Sequence, residues 1–515
     1  MQKTKIISIA ILILHTCSGF IIQTPSIKII KNISLNPFKH HTIARNKTPI
    51  LCSNIQNKES QQLPISWTKE EGLKLFNIQT TPEIWAIVLV YFVQGVLGIS
   101  RLALTFYYKD TLHLGPADLS LISSISVIPW VIKPLYGFIS DTFPFFGYKR
   151  RSYLILSGLL GTFSWSLLAF LSASIDAGNI QVDSFATIIS VLLVTMSSLG
   201  IAFSDVLVDA IIVNKSRSIY NNDQDKAGAL QSICWSSSSI GAILSGIFSG
   251  TLVQNFGSTV VFSITTLIPL IIAGVSGLIE EEKITNEYKK VNNMQLLKTQ
   301  MNSVWSALSQ KSILSPLIFL ILWQATPSAG SALFYFEVNN LGFQPEFLGR
   351  LGLVSSLSSL VGIMIYNQKL KSIPLRTIFK WTCITGAILG MTPLMLVTHF
   401  NRQIGLSDKW FAIGDDIILT VLGQIAFMPI LVLAAKLCPS GVEAMLYAAL
   451  MSVNNLSGAM SGLLGGVLTR FMGITEHNFD NLSQLIILCN LSGLLPLAFL
   501  KLLPDENDNK DTSRN

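Results

Sequence analysis

From residue 84 to residue 503 the chain alternates apolar blocks of about twenty residues with short polar breaks, and few folds tolerate that pattern. A helix needs roughly 20 apolar residues to cross about 30 Å of hydrocarbon, so each block reads as a membrane-spanning helix. Twelve blocks stand out, near 84–107, 117–140, 152–174, 185–213, 228–252, 258–279, 313–336, 346–366, 376–398, 413–436, 441–469 and 482–503. Apolar residues fill these blocks rather than one face of them. Only 13% of the residues are charged, against about one quarter in a soluble protein. The expected fold class is an all-α, multi-pass membrane protein.

The net charge of +7 does not point to nucleic acid. The basic residues sit mainly in the N-terminal segment and in short inter-block loops, where positive charge orients a membrane protein. Lys149, Arg150 and Arg151 follow the second block, and Lys215, Arg217 and Lys226 the fourth. Lys283, Lys289, Lys290 and Lys298 follow the sixth, and Lys369, Lys371, Arg376 and Lys380 the eighth. Asp176, Asp183, Asp415, Asp416, Glu476 and Asp480 gather after odd-numbered blocks. This asymmetry places both termini on the cytosol-like side, which is the stroma in a plastid envelope. The six cysteines (Cys17, Cys52, Cys234, Cys383, Cys438, Cys489) show no C-x-x-C or metal-like spacing. They read as small apolar helix residues, and no metal or cofactor is expected.

The leader MQKTKIISIAILILHTCSGF has two lysines, an apolar run and small residues around Cys17-Ser18-Gly19, the shape of a signal peptide. From Phe20 to Lys58 there is no Asp or Glu, while Lys28, Lys31, Lys39, Arg45, Lys47 and Lys58 stand among Ser, Thr and Asn. That composition is similar to an organelle transit peptide. Together the two parts resemble the bipartite presequence of a plastid bounded by extra membranes. A disordered basic tail or a mitochondrial leader is the alternative. The expected division is a targeting leader over 1–60, a polar segment over 61–83, a six-helix half over 84–279, a central loop over 280–312, a second six-helix half over 313–503 and a polar tail over 504–515.

Six plus six blocks around the polar stretch from Glu280 to Gln300 resemble the major facilitator superfamily, twelve transmembrane helices in two six-helix halves. A trace of the repeat survives. SDVLVDAIIVNKSR and KAGALQSICWSSSSIGAILSGIFSG in the first half match MPILVLAAKLCPSGVEAMLYAALMSVNNLSGAMSGLLGG in the second. Both carry G-x-x-x-G spacing, Gly246 to Gly250 and Gly458 to Gly462 to Gly466, which lets helix backbones approach closely.

Several charges break the apolar blocks. In PWVIKPLYGFISDTFPFFGYKRRSY, Gly137 and Asp141 are followed by Gly147 and the basic Lys149-Arg150-Arg151. This resembles the superfamily's signature loop between the second and third spans, in which an acid can pair with a basic residue and hold one gate. The inserted FPFF departs from that pattern and leaves the pairing of Asp141 with Arg150 or Arg151 open. A plain positive-inside anchor explains the basic residues equally well. Arg101, Lys133, Asp205 and Asp209 lie deeper, as do Glu337 and, near a membrane edge, Lys436. A charge at the bilayer centre costs about 2.5–3.5 kcal/mol even on the lenient insertion scale, so it faces a cavity or a partner. Gln94 and Arg101, seven apart, share a helix face, as do Asp205 and Asp209, four apart. Arg101, Asp205 and Asp209 are therefore expected in a central cavity, with Lys133 nearer the inner gate. The alternative is a structural Arg101–Asp205 or Lys133–Asp209 pair without substrate contact.

The chain is similar to the folate–biopterin transporters. The resemblance lies in YFVQGVLGISRLALTFYYKD, in the stretch from Pro129 to Tyr153, in SDVLVDAIIV with AGALQSICW, and in MPILVLAAKLCPSGVEAMLYAALMSVNNLSG. It implies a carrier of folates or pterins, in its plastid branch at the inner envelope. The chemistry agrees. Arg101 or Lys133 can hold the glutamate-tail carboxylates of a folate. Asp205 or Asp209 can accept from the N–H edge of a pterin, and Trp130 and Trp235 can stack on its ring, though both tryptophans serve equally well in packing. A cavity carboxylate, Asp205 or Asp209, is also the candidate for a coupling proton.

Three other readings compete. A membrane-embedded enzyme would need a nucleophile–base set, yet of the six histidines three (His15, His40, His41) lie in the leader and His113, His399 and His477 in expected loops. A receptor or scaffold gains little from buried charge. A carrier of another organic anion or a drug on the same fold is the closest competitor.

Overall fold

The computed structural model describes residues 74–75, 78–79, 81–218, 224–283, 302, 305–306, 308–437 and 443–504, and within 74–79, 213–232 and 431–447 the backbone alone. The targeting leader, most of the central loop and the polar tail lie outside the described residues, as do the side chains of Lys215, Arg217, Lys226 and Lys436.

A short antiparallel pair, Lys74–Leu75 with Ile78–Gln79, precedes the helices. The N-terminal half holds α1 (Pro82–Val96), α2 (Ile99–Phe106), α3 (Pro116–Ser126), α4 (Ile128–Val131), α5 (Lys133–Thr142), α6 (Arg151–Asp176), α7 (Ser184–Ser218) and α8 (Gln224–Val275). The C-terminal half holds α9 (Lys311–Gln324), α10 (Gly330–Asn339), α11 (Pro345–Ile365), α12 (Leu375–Leu389), α13 (Pro393–Val397), α14 (Phe400–Gln403), α15 (Asp408–Leu437), α16 (Glu443–Phe471) and α17 (Leu482–Ser492), followed by a 3-10 turn over Leu495–Leu502.

Among the described residues, nine helices are long and apolar enough to cross a membrane, against twelve blocks in the sequence. The difference has three physical sources. The fifth and sixth blocks run together as α8, interrupted at Gly257. The seventh block breaks between α9 and α10, where Pro327 cannot continue a helix. The eleventh, α16, is diluted by Ser452, Asn454, Asn455, Ser457 and Ser461.

Gly257 holds φ 75° and ψ 171°, a region that side chains with a Cβ essentially do not enter. Gly257→Val is expected to cost about 1–3 kcal/mol and to lower the melting temperature of the detergent-purified protein. A wild-type melting curve would show that this kink is not required.

The apolar surface divides as the bilayer demands. Ile87, Val90, Leu207, Val208 and Ile272 pack inside the N-terminal half, and Phe319, Phe379 and Ile430 inside the C-terminal half. Phe163, Phe170, Phe185, Leu267 and Ile388 point outward. Exposed aromatic and aliphatic residues in this number suit a lipid-facing belt and no aqueous surface. The protein is a multi-pass membrane protein.

The glycine motifs join the halves. A Cβ on Gly246 would lie 2.8 Å from Leu353 Cα, and one on Gly349 would lie 2.6 Å from Gly250 N, so α8 and α11 meet backbone to backbone. Gly462 faces Ser124, and a Cβ on Gly466 would meet Ala117 O at 3.0 Å, which seats α16 on α3. Gly458 faces open space and takes no part. Arg470 pairs with Asp118, Tyr335 donates to Leu114 O, and Glu346 N donates to Gln254 Oε1 at 3.0 Å. These cross-half links cluster at the end of the helices that carries the acidic loops.

Candidate functional site

Three helical segments of the N-terminal half bring charge together. On α7, Asp205 and Asp209 are one turn apart and present carboxylates to the same side. On α1, Tyr91 and Gln94, three apart, face them. The second span is broken at Ile132 (φ −96°, ψ 18°), which puts Lys133 at the first turn of α5 and Trp130 just before the break.

Lys133 Nζ lies 2.5 Å from Asp205 Oδ2, with both side chains nearly covered, at 13% and 12% exposure. Gln94 Nε2 donates to the other oxygen of Asp205 at 3.1 Å, and the Tyr91 hydroxyl donates to Asp209. Lys133 Nζ also sits 4.4 Å from the centre of the Trp130 ring, in cation–π range. The indole N–H of Trp130 donates to Ser198 Oγ at 3.1 Å, and Asn455 of α16 donates to Trp130 O at 3.2 Å. Lys133, Asp205, Gln94 and Trp130 thus form one nearly covered set, anchored across to the second half by Asn455, and the Tyr91–Asp209 pair stands one helical turn along α7 from it.

Gln94, Trp130, Lys133, Asp205 and Asp209 come together; Arg101 and Trp235 do not join them by any described contact. Arg101 on α2 is exposed, and no hydrogen bond or ion pair of its guanidinium occurs among the described residues. Trp235 is 56% exposed. Lys133, expected nearer the inner gate, pairs with Asp205, and neither alternative pair, Arg101–Asp205 or Lys133–Asp209, occurs among the described residues. Tyr91, Ser198 and Asn455 went unnoticed because a search for charge passes over neutral polar residues; Tyr91 was findable from its spacing to Gln94.

At the basic-loop end Arg150 Nη2 approaches Asp141 Oδ1 at 3.7 Å. The inserted FPFF does not separate them. Phe145 and Tyr148 exchange two backbone hydrogen bonds of 3.0 Å, and Phe146 (φ 53°) and Gly147 (φ 85°) make a tight turn that loops the extra residues out. Gly137 packs near Val206 on α7, and Arg151 stacks 5.7 Å from the Tyr148 ring.

The C-terminal half carries a second polar feature. Asp415 and Asp416, at the start of the tenth block, lie about two turns into α15. Thr392 donates to Asp415, and Ser355 Oγ donates to Asp416 Oδ2 at 2.6 Å. A cavity of about 510 Å³ in this half is lined among others by Trp323, Gln324, Leu333, Leu419 and Asn490. A cleft of about 470 Å³ opens at the acidic-loop end between Asp110, Gln254 and Val338. Among the described residues no group of His, Cys, Asp and Glu is arranged to hold a metal ion.

Both the sequence and the fold are similar to those of known proteins. The sequence profile of the BT1 family matches residues 94–515. The folate-biopterin transporter of Synechocystis sp. is 47% identical over 423 residues, 82% of this chain and 82% of that protein. Probable folate-biopterin transporter 2 of Arabidopsis thaliana is 32% identical over 456 residues, 87% of each chain. Among solved structures, a mutant of the nucleoside transporter NupG superposes with a TM-score of 0.61 at 14% identity, covering 82% of this chain and 100% of that one, and the shared architecture is the major facilitator fold. With a profile match running from Gln94 of the site to the last residue, and with these relatives, the chain belongs to the BT1 family of folate–biopterin transporters.

Proposed function

We propose that the chain carries folates or pterins across a bilayer by alternating access of its two halves. The observation that carries this reading is the Lys133–Asp205 pair, held by Gln94 and backed by Trp130, between helices that have no structural need of a buried charge. Relatives named folate-biopterin transporters supply the substrate class. In this reading Asp209 and Asp205 accept from the pterin N–H edge, Trp130 and Trp235 offer flat faces to the ring, and Arg101 with Lys133 takes the glutamate-tail carboxylates. Arg101 has no hydrogen-bond or ion-pair partner among the described residues; an unpaired arginine inside a span is otherwise costly, and a wet cavity with an anionic ligand removes that cost. Gly137, Asp141, Arg150 and Arg151 form the gate at the basic-loop end. The membrane is the plastid inner envelope, reached through the leader over 1–60, with the two halves spanning 84–279 and 313–503. Protons are the coupling ion.

Residues from about 60 onward, produced in a bacterial strain unable to make folate, should take up labelled folic acid and 5-formyltetrahydrofolate. Arg101→Ala is expected to lower folate uptake about tenfold to a hundredfold, the worth of a charge-assisted hydrogen bond, while biopterin uptake, which involves no glutamate tail, stays at wild-type level. Equal losses for both substrates would remove Arg101 from the tail site. No uptake of either by well-expressed wild type at any pH would overturn the reading in favour of another organic anion.

A further inference from the structure

The second span carries a break that ordinary helix bonding cannot close. A helical carbonyl accepts from the N–H four residues on, and for Trp130 that residue is Pro134, which has none. The next N–H in line, that of Leu135, turns to Ile132 O at 3.0 Å. Trp130 O therefore lacks its helical partner. Two other carbonyls beside the break are served from within the N-terminal half. Ser198 Oγ of α7 donates to Ser126 O at 2.8 Å, and the Tyr136 hydroxyl of α5 donates to Pro129 O at 2.8 Å. Trp130 O is served from the other half, by Asn455 Nδ2 of α16 at 3.2 Å.

Asn455 stands at the inner end of a seam. On α16, Asn455, Gly462, Gly466 and Arg470 are seven, four and four residues apart and share one face. Toward the acidic-loop end that face meets the second span: Gly462 against Ser124, Gly466 against Ala117 and Ser120, and Arg470 paired with Asp118. Asn455 carries the contact to Trp130, whose ring lies 4.4 Å from Lys133 Nζ and whose indole N–H is held by Ser198. The donors to Ser126 O and Pro129 O belong to the half that carries the break, so they stay in place when the halves part. The donor to Trp130 O does not. A carbonyl without a donor is unfavourable inside a membrane protein, so parting the seam and disturbing the break are one event.

We propose that Asn455 is a positioning residue of the transport cycle: its amide completes the hydrogen bonding of the break in the second span, and so ties the closed seam at the acidic-loop end to the placement of Trp130 and Lys133. The proposal rests on the carrier reading above and adds to it a link from the second half to a site whose charged residues all lie in the first.

The test uses the full chain in liposomes, with Ser120→Cys as a reporter at the seam. Ser120 is buried against Gly466, so a membrane-impermeant maleimide reaches a thiol there only when the seam parts. Protein without the reporter corrects for the native cysteines. Asn455→Leu, close in size and without a donor, should raise the labelling rate about twofold to tenfold, the worth of one hydrogen bond. Asn455→Ala serves if Asn455→Leu does not fold. A rescue separates the hydrogen bond from packing. Pro134→Ala restores an N–H four residues after Trp130, and in that background Asn455→Leu should change labelling by less than about twofold. Folate uptake at saturation should fall in Asn455→Leu by about the factor by which labelling rises. Labelling unchanged in Asn455→Leu, an equal rise in the Pro134→Ala background, or raised labelling with unchanged uptake would each overturn the proposal. Labelling needs no substrate, so it decides the role of Asn455 at the seam even if wild type takes up no folate, a result that overturns the folate reading alone.

Discussion

Lys133→Ala is expected to abolish uptake and to destabilise the protein by about 3–5 kcal/mol, the cost of leaving one partner of a buried pair without the other. In the native protein Asp205 accepts from Lys133 at 2.5 Å and from Gln94 at 3.1 Å, at 8% exposure. Removing the lysine leaves a buried carboxylate with one amide donor. Asp205→Ala leaves the converse, an ammonium with only the Trp130 face for company. Combining Lys133→Ala with Asp205→Ala removes both charges, and double variants of this kind regain most of the stability lost by either single change. The expected pattern is two poorly expressed single variants and a double variant that melts near wild type yet carries no substrate. A double variant with wild-type uptake would reduce the pair to structure. A Lys133→Ala protein with normal melting would mean that the two groups are not paired in the membrane.

The fold was legible in the spacing of apolar blocks because hydrocarbon thickness fixes span length, and that constraint acts on every helix alike. Its exceptions were harder to see. The break between α9 and α10 falls at Pro327 in the short polar run QATPSAGS, which a block of some twenty residues absorbs, and the kink at Gly257 resembles any other glycine in a glycine-rich helix until its φ is seen. The site was half visible. Charges inside apolar blocks announce themselves, so Lys133, Asp205 and Asp209 were found, and the i, i+4 rule put the two aspartates on one face. Partner choice was not visible, because whether Arg101 or Lys133 reaches Asp205 depends on how the second span breaks at Ile132 and on the rotation of α1 against α7. Asp415 and Asp416 open the tenth block yet group by charge with the loop acids. The helix starts earlier, at Asp408, clasped by the Arg402 fork, which carries them about two turns into it.

Glu281→Ala is expected to raise amide hydrogen exchange at Lys149, Arg150 and Arg151 by about tenfold to a hundredfold, since a hydrogen bond to a charged group is worth about 1.5–3 kcal/mol. The Glu281 carboxylate accepts from the backbone N–H of Lys149 at 2.8 Å, of Arg150 at 3.1 Å and of Arg151 at 2.9 Å. Helix α6 begins at Arg151, and no capping side chain of its own serves its first N–H groups. Those groups would otherwise have only water. A carboxylate there also sits at the positive end of the helix dipole. Glu281 follows the last turn of the sixth span, so one side chain ties the end of that span to the start of the third, beside the Asp141–Arg150 pair. Because the carboxylate is partly exposed, the lower half of the range is the expected one. Glu281→Gln keeps an oxygen acceptor but no charge and should fall between wild type and Glu281→Ala. If the basic-loop end is held by this cap, exchange should rise at residues 149–151 while the Lys133–Asp205 pair, about three helical turns away along α5, keeps its protection. Unchanged exchange at 149–151 in Glu281→Ala would show that the start of α6 is held by something other than this carboxylate. A rise that spreads through Lys133 would mean that the basic-loop end and the Lys133–Asp205 pair open as one cooperative unit.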